Sequence, residues 1–324
     1  MSKGKKALII LGSILVSLVL FWIIVGAIEP YQVADVNPWR SDTTLISAHR
    51  GGANLNPENT KMAFDYVIKD TSFTDVIELD VRLTKEDELV IIHDESINRT
   101  GLNYETDEIL IRNSTYAELS EYNLGINFVK DGQKPYSDTA SLSAEDRDDL
   151  RIMKLSDFFS GDYKGYRDFK LLVEIKDSKT DGVLAADKVE ELLAMEENSW
   201  WNERTMVISF SIDVVNHVLK NYPNRYVAGM GYNMIPFLIG SLLGLDSLFK
   251  IKYQSVQTSM ITKAGPIMID CATQSFIDSA HRRNQCVAYW TINERKDMET
   301  LVSLGADIIT TNSPDVLADV LGRL

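Results

Sequence analysis

Four short apolar runs in this chain each end in residues able to do acid–base, metal or phosphate chemistry. His49 and Arg50 close the first, Glu78 and Asp80 lie within the second, His93 and Asp94 close the third, and Glu174 and Lys176 close the fourth. Runs of this kind read as strands of a buried parallel sheet, where a charge is costly unless it is compensated. Glu78 and Asp80 are two apart, as are Glu174 and Lys176, so on a strand each pair points to one face. Taken singly, each group has an ordinary reading, as a hydrogen-bonded histidine or a strand-end ion pair with Arg82 or Lys85. Taken together, Glu78, Asp80 and Glu174 repel one another strongly unless a cation lies between them. An all-oxygen ligand set points to one divalent cation, Mg²⁺ or Ca²⁺. Arg50 can offer a bidentate contact to a phosphoryl group and Lys176 a point charge. His49 and His93 can then act as an acid–base pair near neutral pH. The predicted chemistry is metal-assisted cleavage of a phosphodiester. Asp94 is placed to fix the tautomer of His93.

The positioning elements are read from the alternation of strands and helices. Candidate strands are Leu45–Ala48, Val76–Val81, Leu89–His93, Lys170–Ile175, Met206–Phe210, Tyr226–Met230, Val287–Ile292 and Asp307–Thr311. Between them lie helical patterns at Thr60–Lys69, Val183–Met195, Val214–Asn221, Ser275–Arg283 and Arg295–Leu304. Eight such strands predict a (β/α)8 barrel, with a doubly wound sheet as the alternative; no glycine-rich phosphate loop follows the first strand. Tyr253–Ser259 is a further strand-like run without a place in this scheme. Residues 96–153 are polar and aperiodic and read as an insertion after strand three, overhanging the catalytic face. His217 and His281 fall inside helical patterns and read as surface or packing residues. Gln257 is a candidate for facing the site.

The amino terminus is a separate unit. Lys3, Lys5 and Lys6 precede an uncharged run from Ala7 to Ile28. As a helix this run is about 33 Å long, enough to cross a bilayer core. Its flanking charges predict a single-pass protein of the cell membrane, with a cytoplasmic amino terminus and an extracellular catalytic domain. The length favours an uncleaved anchor over a signal peptide, although Val25-Gly26-Ala27 has the spacing of a cleavage site. The organisation is therefore an anchor over 1–28, a tether over 29–44 and a barrel over 45–324. Net charge is −14 over 324 residues, which argues against nucleic acid as a partner. Cys271 and Cys286 are too few for a thiolate metal site; Cys286 reads as a buried small hydrophobe, with a bridge between the two as the alternative.

The ordered set His49-Arg50-Gly51-Gly52, Pro57-Glu58-Asn59-Thr60, Glu78-Leu79-Asp80, His93-Asp94 and Val173-Glu174-Ile175-Lys176 resembles the glycerophosphodiester phosphodiesterase family. Ser209-Phe210, Trp290-Thr291-Ile292-Asn293, and Gly305-Ala306-Asp307 leading to Thr310-Thr311-Asn312-Ser313-Pro314 extend the resemblance from about Leu45 to the carboxyl terminus. It implies a (β/α)8 barrel and hydrolysis of a small-molecule or lipid-derived glycerophosphodiester to glycerol phosphate and an alcohol. It implies catalysis by His49 and His93, metal ligation by Glu78, Asp80 and Glu174, and phosphate contacts from Arg50 and Lys176. It also implies attack by the substrate's own glycerol hydroxyl, through a cyclic phosphate. Glu58 follows a cap and proline at a helix start, and the resemblance gives it an orienting role. Trp290 and, more weakly, Phe210 become walls for glycerol or headgroup. Other readings stay open: a phospholipase D acting on lysophospholipids or sphingolipids, the same reaction class acting on polymeric glycerol phosphate, and a non-catalytic ligand-binding barrel. The last would be marked by loss of a histidine or metal ligand, and none is missing.

Overall fold

The uncharged run at the amino terminus forms a helix, Lys3–Ala27, capped by the Ser2 side chain and exposed along its length except at Val25. The computed structural model describes residues 2–71, 73–102, 107–166, 168–265 and 267–324. Beyond the helix the chain builds a closed sheet. Its strands are β1 (Leu45–Ala48), β2 (Val76–Leu83), β3 (Leu89–Ile91), β4 (Met153–Lys154), β5 (Lys170–Ile175), β6 (Thr205–Ile208), β7 (Tyr226–Gly229) and β8 (Ser255–Thr258). A hairpin of β9 (Ile261–Ala264) and β10 (Ile267–Asp270) follows, then β11 (Cys286–Tyr289) and β12 (Ile308–Thr311). Parallel pairing runs β1-β2-β5-β6-β7-β8-β11-β12 and back to β1, giving the eight staves of a (β/α)8 barrel.

Two strand assignments differ from the sequence reading. The run Leu89–His93 is strand-like only to Ile91 and pairs antiparallel with β2, so it is a hairpin arm and not a stave. Its backbone partners are Val81, Arg82 and Leu83 at the far end of a β2 that extends beyond the barrel. The missing stave is Ser255–Thr258, within the strand-like run that had no place. The reason is chemical. Ser255 and Gln257 point inward from β8 while Val256 joins the outer core, so the run lacks the continuous apolar signature of a buried strand. The insertion follows β3 in chain order, as expected, and has a small core of its own from Ile97, Ile111, Leu119, Leu124 and Ile152. Residues 103–106 within it lie outside the described residues.

Alternation along the staves sorts the interior into two ends. Val76, Leu172, Met206, Ala228, Cys286 and Ile308 pack together as an apolar floor. Two or four residues further along β2 and β5 come Glu78, Asp80 and Glu174, joined by Gln257 from β8, all buried. The floor is closed from below by Trp39, 1% exposed and edge-on to Tyr226 at 6.2 Å. Residues 33–44, expected as a tether, are laid along this end. Val33 N–H donates to the Arg283 carbonyl at 3.0 Å, and the Asn37 side chain donates to the carbonyls of Gln254 and Asn284 at 2.8 Å each. Cys271 and Cys286 are both buried and free.

Candidate active site

The open end of the barrel is assembled first by the turn after β1. Arg50, Gly51 and Gly52 all have positive φ, of 52°, 79° and 86°. A side chain on Gly51 would place its Cβ 2.9 Å from that of Ala63, so glycine is required by both space and conformation. The curl turns the Arg50 N–H inward, where it donates to Glu78 Oε2 at 2.8 Å. His49 then stands beside the carboxylates, its Nε2 4.0 Å from Glu78 Oε2.

Glu78, Asp80 and Glu174 present oxygens within 4.8 Å of one another, and all three are buried. Register explains the convergence: β2 and β5 align Asp80 beside Glu174, and Glu78 lies two residues back on the same face. Burial, and then the negative charge of Asp80, hold the Glu78 and Glu174 carboxyls well above the usual carboxylate range. Burial would raise Asp80 too, but Lys176 and Arg50 outweigh it and hold that carboxyl low. Lys176 Nζ is 2.8 Å from Glu174 Oε1 and 3.2 Å from Asp80 Oδ1, and Arg50 Nε is 3.2 Å from Asp80 Oδ2. Among the described residues no donor is aligned on Asp80 Oδ1. Three buried carboxylates, two of them raised and one with an unsatisfied oxygen, fit an oxygen-liganded divalent ion. The cluster can hold a metal ion.

The two histidines share one arrangement. His49 Nδ1 is 2.6 Å from Asn312 Oδ1, and His93 Nδ1 is 2.5 Å from Asp94 Oδ1. The acceptor oxygen opposite each Nδ1 assigns a proton there, and neither Nε2 has a hydrogen-bond partner among the described residues. Burial, followed by the charge of Arg50, holds His49 below its ordinary value, so its ring is neutral near neutral pH. Asp94 is held well below the carboxylate range, since hydrogen bonds from His93 and Arg99 outweigh its burial. His93 comes from the β3 hairpin, fixed by the Arg82 Nε donating to its carbonyl at 2.8 Å.

Glu58 links these parts. It accepts from Arg50 Nη1 at 2.9 Å and from Arg99 Nη1 and Nη2 at 2.8 and 2.7 Å, while Arg99 Nε donates to Asp94. Phe210 and Trp290, which follow staves β6 and β11, meet edge-on at 5.4 Å. The Trp290 Nε1 and Gln257 Nε2 donors are buried without a hydrogen-bond partner among the described residues. The predicted residues His49, Arg50, Glu58, Glu78, Asp80, His93, Glu174 and Lys176 therefore form one network, with Phe210 and Trp290 as a pair at the same mouth.

Three further residues were not singled out by type and spacing. Asn59 donates to Asp80 Oδ2 at 2.8 Å, and Asn312 orients His49; both lie inside the motifs that carry the resemblance. Arg99 sits in the aperiodic insertion, where nothing marks it. His217 and His281 lie elsewhere, paired with Asp187 at 2.6 Å and Asp307 at 2.9 Å.

Comparison with known proteins agrees with this geometry. The glycerophosphoryl diester phosphodiesterase family profile matches residues 49–316. A glycerophosphodiester phosphodiesterase of Caldanaerobacter subterraneus is 28% identical over 285 residues, spanning 86% of this chain and 98% of that one. The fold is shared with a glycerophosphodiester phosphodiesterase from Agrobacterium tumefaciens (TM-score 0.59, 18% identity, 85% and 99% of the two chains). It is shared also with an Oleispira antarctica phosphodiesterase solved with its product sn-glycerol-3-phosphate (TM-score 0.62, 17% identity, 86% and 97%).

Proposed function

The chain belongs to the glycerophosphoryl diester phosphodiesterase family, and on that footing we propose that His49 and His93 are the acid–base pair with which it hydrolyses glycerophosphodiesters to glycerol 3-phosphate and an alcohol. The observation that carries this reading is the matched pair of imidazoles. Each has Nδ1 tied to an oxygen and no hydrogen-bond partner on Nε2 among the described residues, beside a cluster of three buried carboxylates.

Glu78, Asp80 and Glu174 would hold a divalent ion, Mg²⁺ or Ca²⁺ by the all-oxygen ligand set, and it would supply positive charge beside the phosphoryl group. Arg50 and Lys176 hold the phosphate oxygens. One histidine takes the proton of the substrate's neighbouring glycerol hydroxyl as that oxygen bonds to phosphorus. The other, entering the step with a second proton on Nε2, gives that proton to the departing alcohol as its bond to phosphorus breaks. The cyclic phosphate so formed is opened by water, with the two proton transfers reversed. Glu58 keeps Arg50 extended towards the phosphate, and Trp290 with Phe210 walls the glycerol or headgroup side.

A second reading keeps this site and changes the substrate to a lysophospholipid, a phospholipase D reaction. The half-exposed Phe210 ring packed on Trp290 favours it, since that wall is apolar and open to solvent at 46%. The helix Lys3–Ala27, uncharged from Ala7 onward, is long and apolar enough to cross a membrane. Lys3, Lys5 and Lys6 before the uncharged run, with Glu29 after it, support an outward-facing barrel.

The test is a substrate panel on the full chain in detergent: glycerophosphocholine, glycerophosphoethanolamine, lysophosphatidylcholine and polyglycerol phosphate. His49→Ala and His93→Ala are each expected to lower kcat by about 10²–10⁴-fold with an unchanged circular dichroism spectrum. Chelation abolishes turnover, and Mg²⁺ or Ca²⁺ restores it. Near-native turnover by either variant, or full activity after exhaustive chelation, sinks the assignment.

A further inference from the structure

From Tyr226 to Leu245 the chain has no charged residue, although a quarter of the whole sequence is charged. Within this stretch lies the helix Ile235–Leu243. One face is buried through Phe237, Leu238 and Gly240, with Phe237 edge-on to Phe276 of the neighbouring helix at 5.1 Å. The other face is equally apolar and open to solvent: Ile235 and Ile239 are 41% exposed, Leu243 53% and Leu242 58%. A helix apolar on both faces wants two apolar partners, and the barrel supplies one. The exposed strip continues to Tyr232 at one end and Leu248 at the other.

Three observations say what covers this flank. The amino-terminal helix meets the barrel here: Val25 is its one buried residue, and the Val25 carbonyl accepts from Ser247 Oγ at 2.9 Å. The apolar segment Gly231–Leu243 is too short to span a bilayer, which takes about 20 residues, and suits a helix lying in the interface. Its lower end is flanked by Lys250 and Lys252, and Lys250 Nζ sits 4.6 Å above the Tyr31 ring. A cation and a tyrosine at one level match the headgroup region of a membrane.

We propose that this flank of the barrel docks on the lipid bilayer, resting on the reading of Lys3–Ala27 as a membrane anchor. The upper end of the docked helix opens on the active site. Gly231 follows β7, and a Cβ there would lie 3.0 Å from the Phe210 ring, which in turn packs on Trp290. Docking therefore sets the aromatic wall of the site against the lipid.

The test uses the full chain reconstituted in phosphatidylcholine and phosphatidylglycerol vesicles that carry a doxyl-labelled lipid. A bimane label is placed at Ile239→Cys, at Leu242→Cys, and at Asp148→Cys beside the opposite flank, where Lys61 bonds Asp149 at 2.8 Å. The native cysteines are buried and stay unlabelled. Labels at 239 and 242 are expected to be quenched severalfold while the label at 148 is not. Vesicles that carry the chain on flotation, with all three labels alike, overturn the docking and leave the anchor standing. A chain that does not float overturns both. Labels at 239 and 242 already shielded from iodide in lipid-free detergent would show a second copy on this face, and would also overturn the proposal.

Discussion

Arg99 shows how much the site depends on single side chains that act through others. Its guanidinium bonds Glu58 on one side and Asp94 on the other, so the Arg50 end of the site and the His93 end are held by one residue. Arg99→Ala frees both carboxylates. The expected result is a fall in kcat of about tenfold or more with KM little changed. Arg99→Ala and Asp94→Asn should couple by about 0.5–3 kcal/mol in a double-mutant cycle. Additive effects would show that Arg99 is only a surface ion pair. Residues of this kind are the least legible from sequence. Glu78, Asp80 and Glu174 announce themselves, because charges on apolar runs are costly and so informative. Arg99 lies in a polar, aperiodic segment where a further arginine carries no signal. The Asn59 and Asn312 side chains are ordinary in composition, and only the folded geometry shows what they orient.

At the scale of elements, seven of the eight staves are visible as short apolar runs. The exception follows from which face each run shows to what. Leu89–Ile91 is apolar on both sides because it packs between the barrel and the insertion, and periodicity cannot separate such an arm from a stave. β8 carries Ser255 and Gln257 to the interior and so looks unlike a stave. Between elements, Asp246 latches the turn Asp246–Leu248 to the helix Gln274–His281. It accepts from Ser279 Oγ at 2.7 Å and from the wholly buried Arg283 at 2.6 Å, and pairs with Arg282. Burial would raise this carboxyl, but these hydrogen bonds and charges leave it below its ordinary 3.8. A carboxyl lowered in the folded state contributes stability above its unfolded pKa, and that contribution is lost as pH falls through the folded value. Denaturant titrations should therefore show the chain more stable than Asp246→Asn at pH 7, with the difference shrinking below about pH 4. A difference independent of pH would refute the latch.

For the molecule as a whole, the apolar amino-terminal helix, the barrel and its insertion are legible from charge and hydropathy, because each obeys a long-range pattern. The fate of residues 33–44 is not, since a polar segment with one tryptophan reads as linker. Trp39 closes the floor opposite the active site. Trp39→Ala is expected to destabilise the barrel by about 3–5 kcal/mol, seen as a lower Tm. Folded protein below that Tm should keep its kcat, because the floor and the carboxylate cluster occupy opposite ends of the staves. An unchanged Tm would mean that the floor packs without it.

The stitching of Val33 to Arg283 also fixes a length. Five residues, Ile28 to Gln32, separate the end of the amino-terminal helix from the first backbone–backbone bond to the barrel, and Tyr31 and Gln32 among them touch it through their side chains. Five residues reach at most about 18 Å. With the helix in a bilayer, the enzyme is on a leash shorter than its own diameter. So held, it would not sample bulk solution, and its turnover would follow the two-dimensional supply of diesters arriving along one patch of surface.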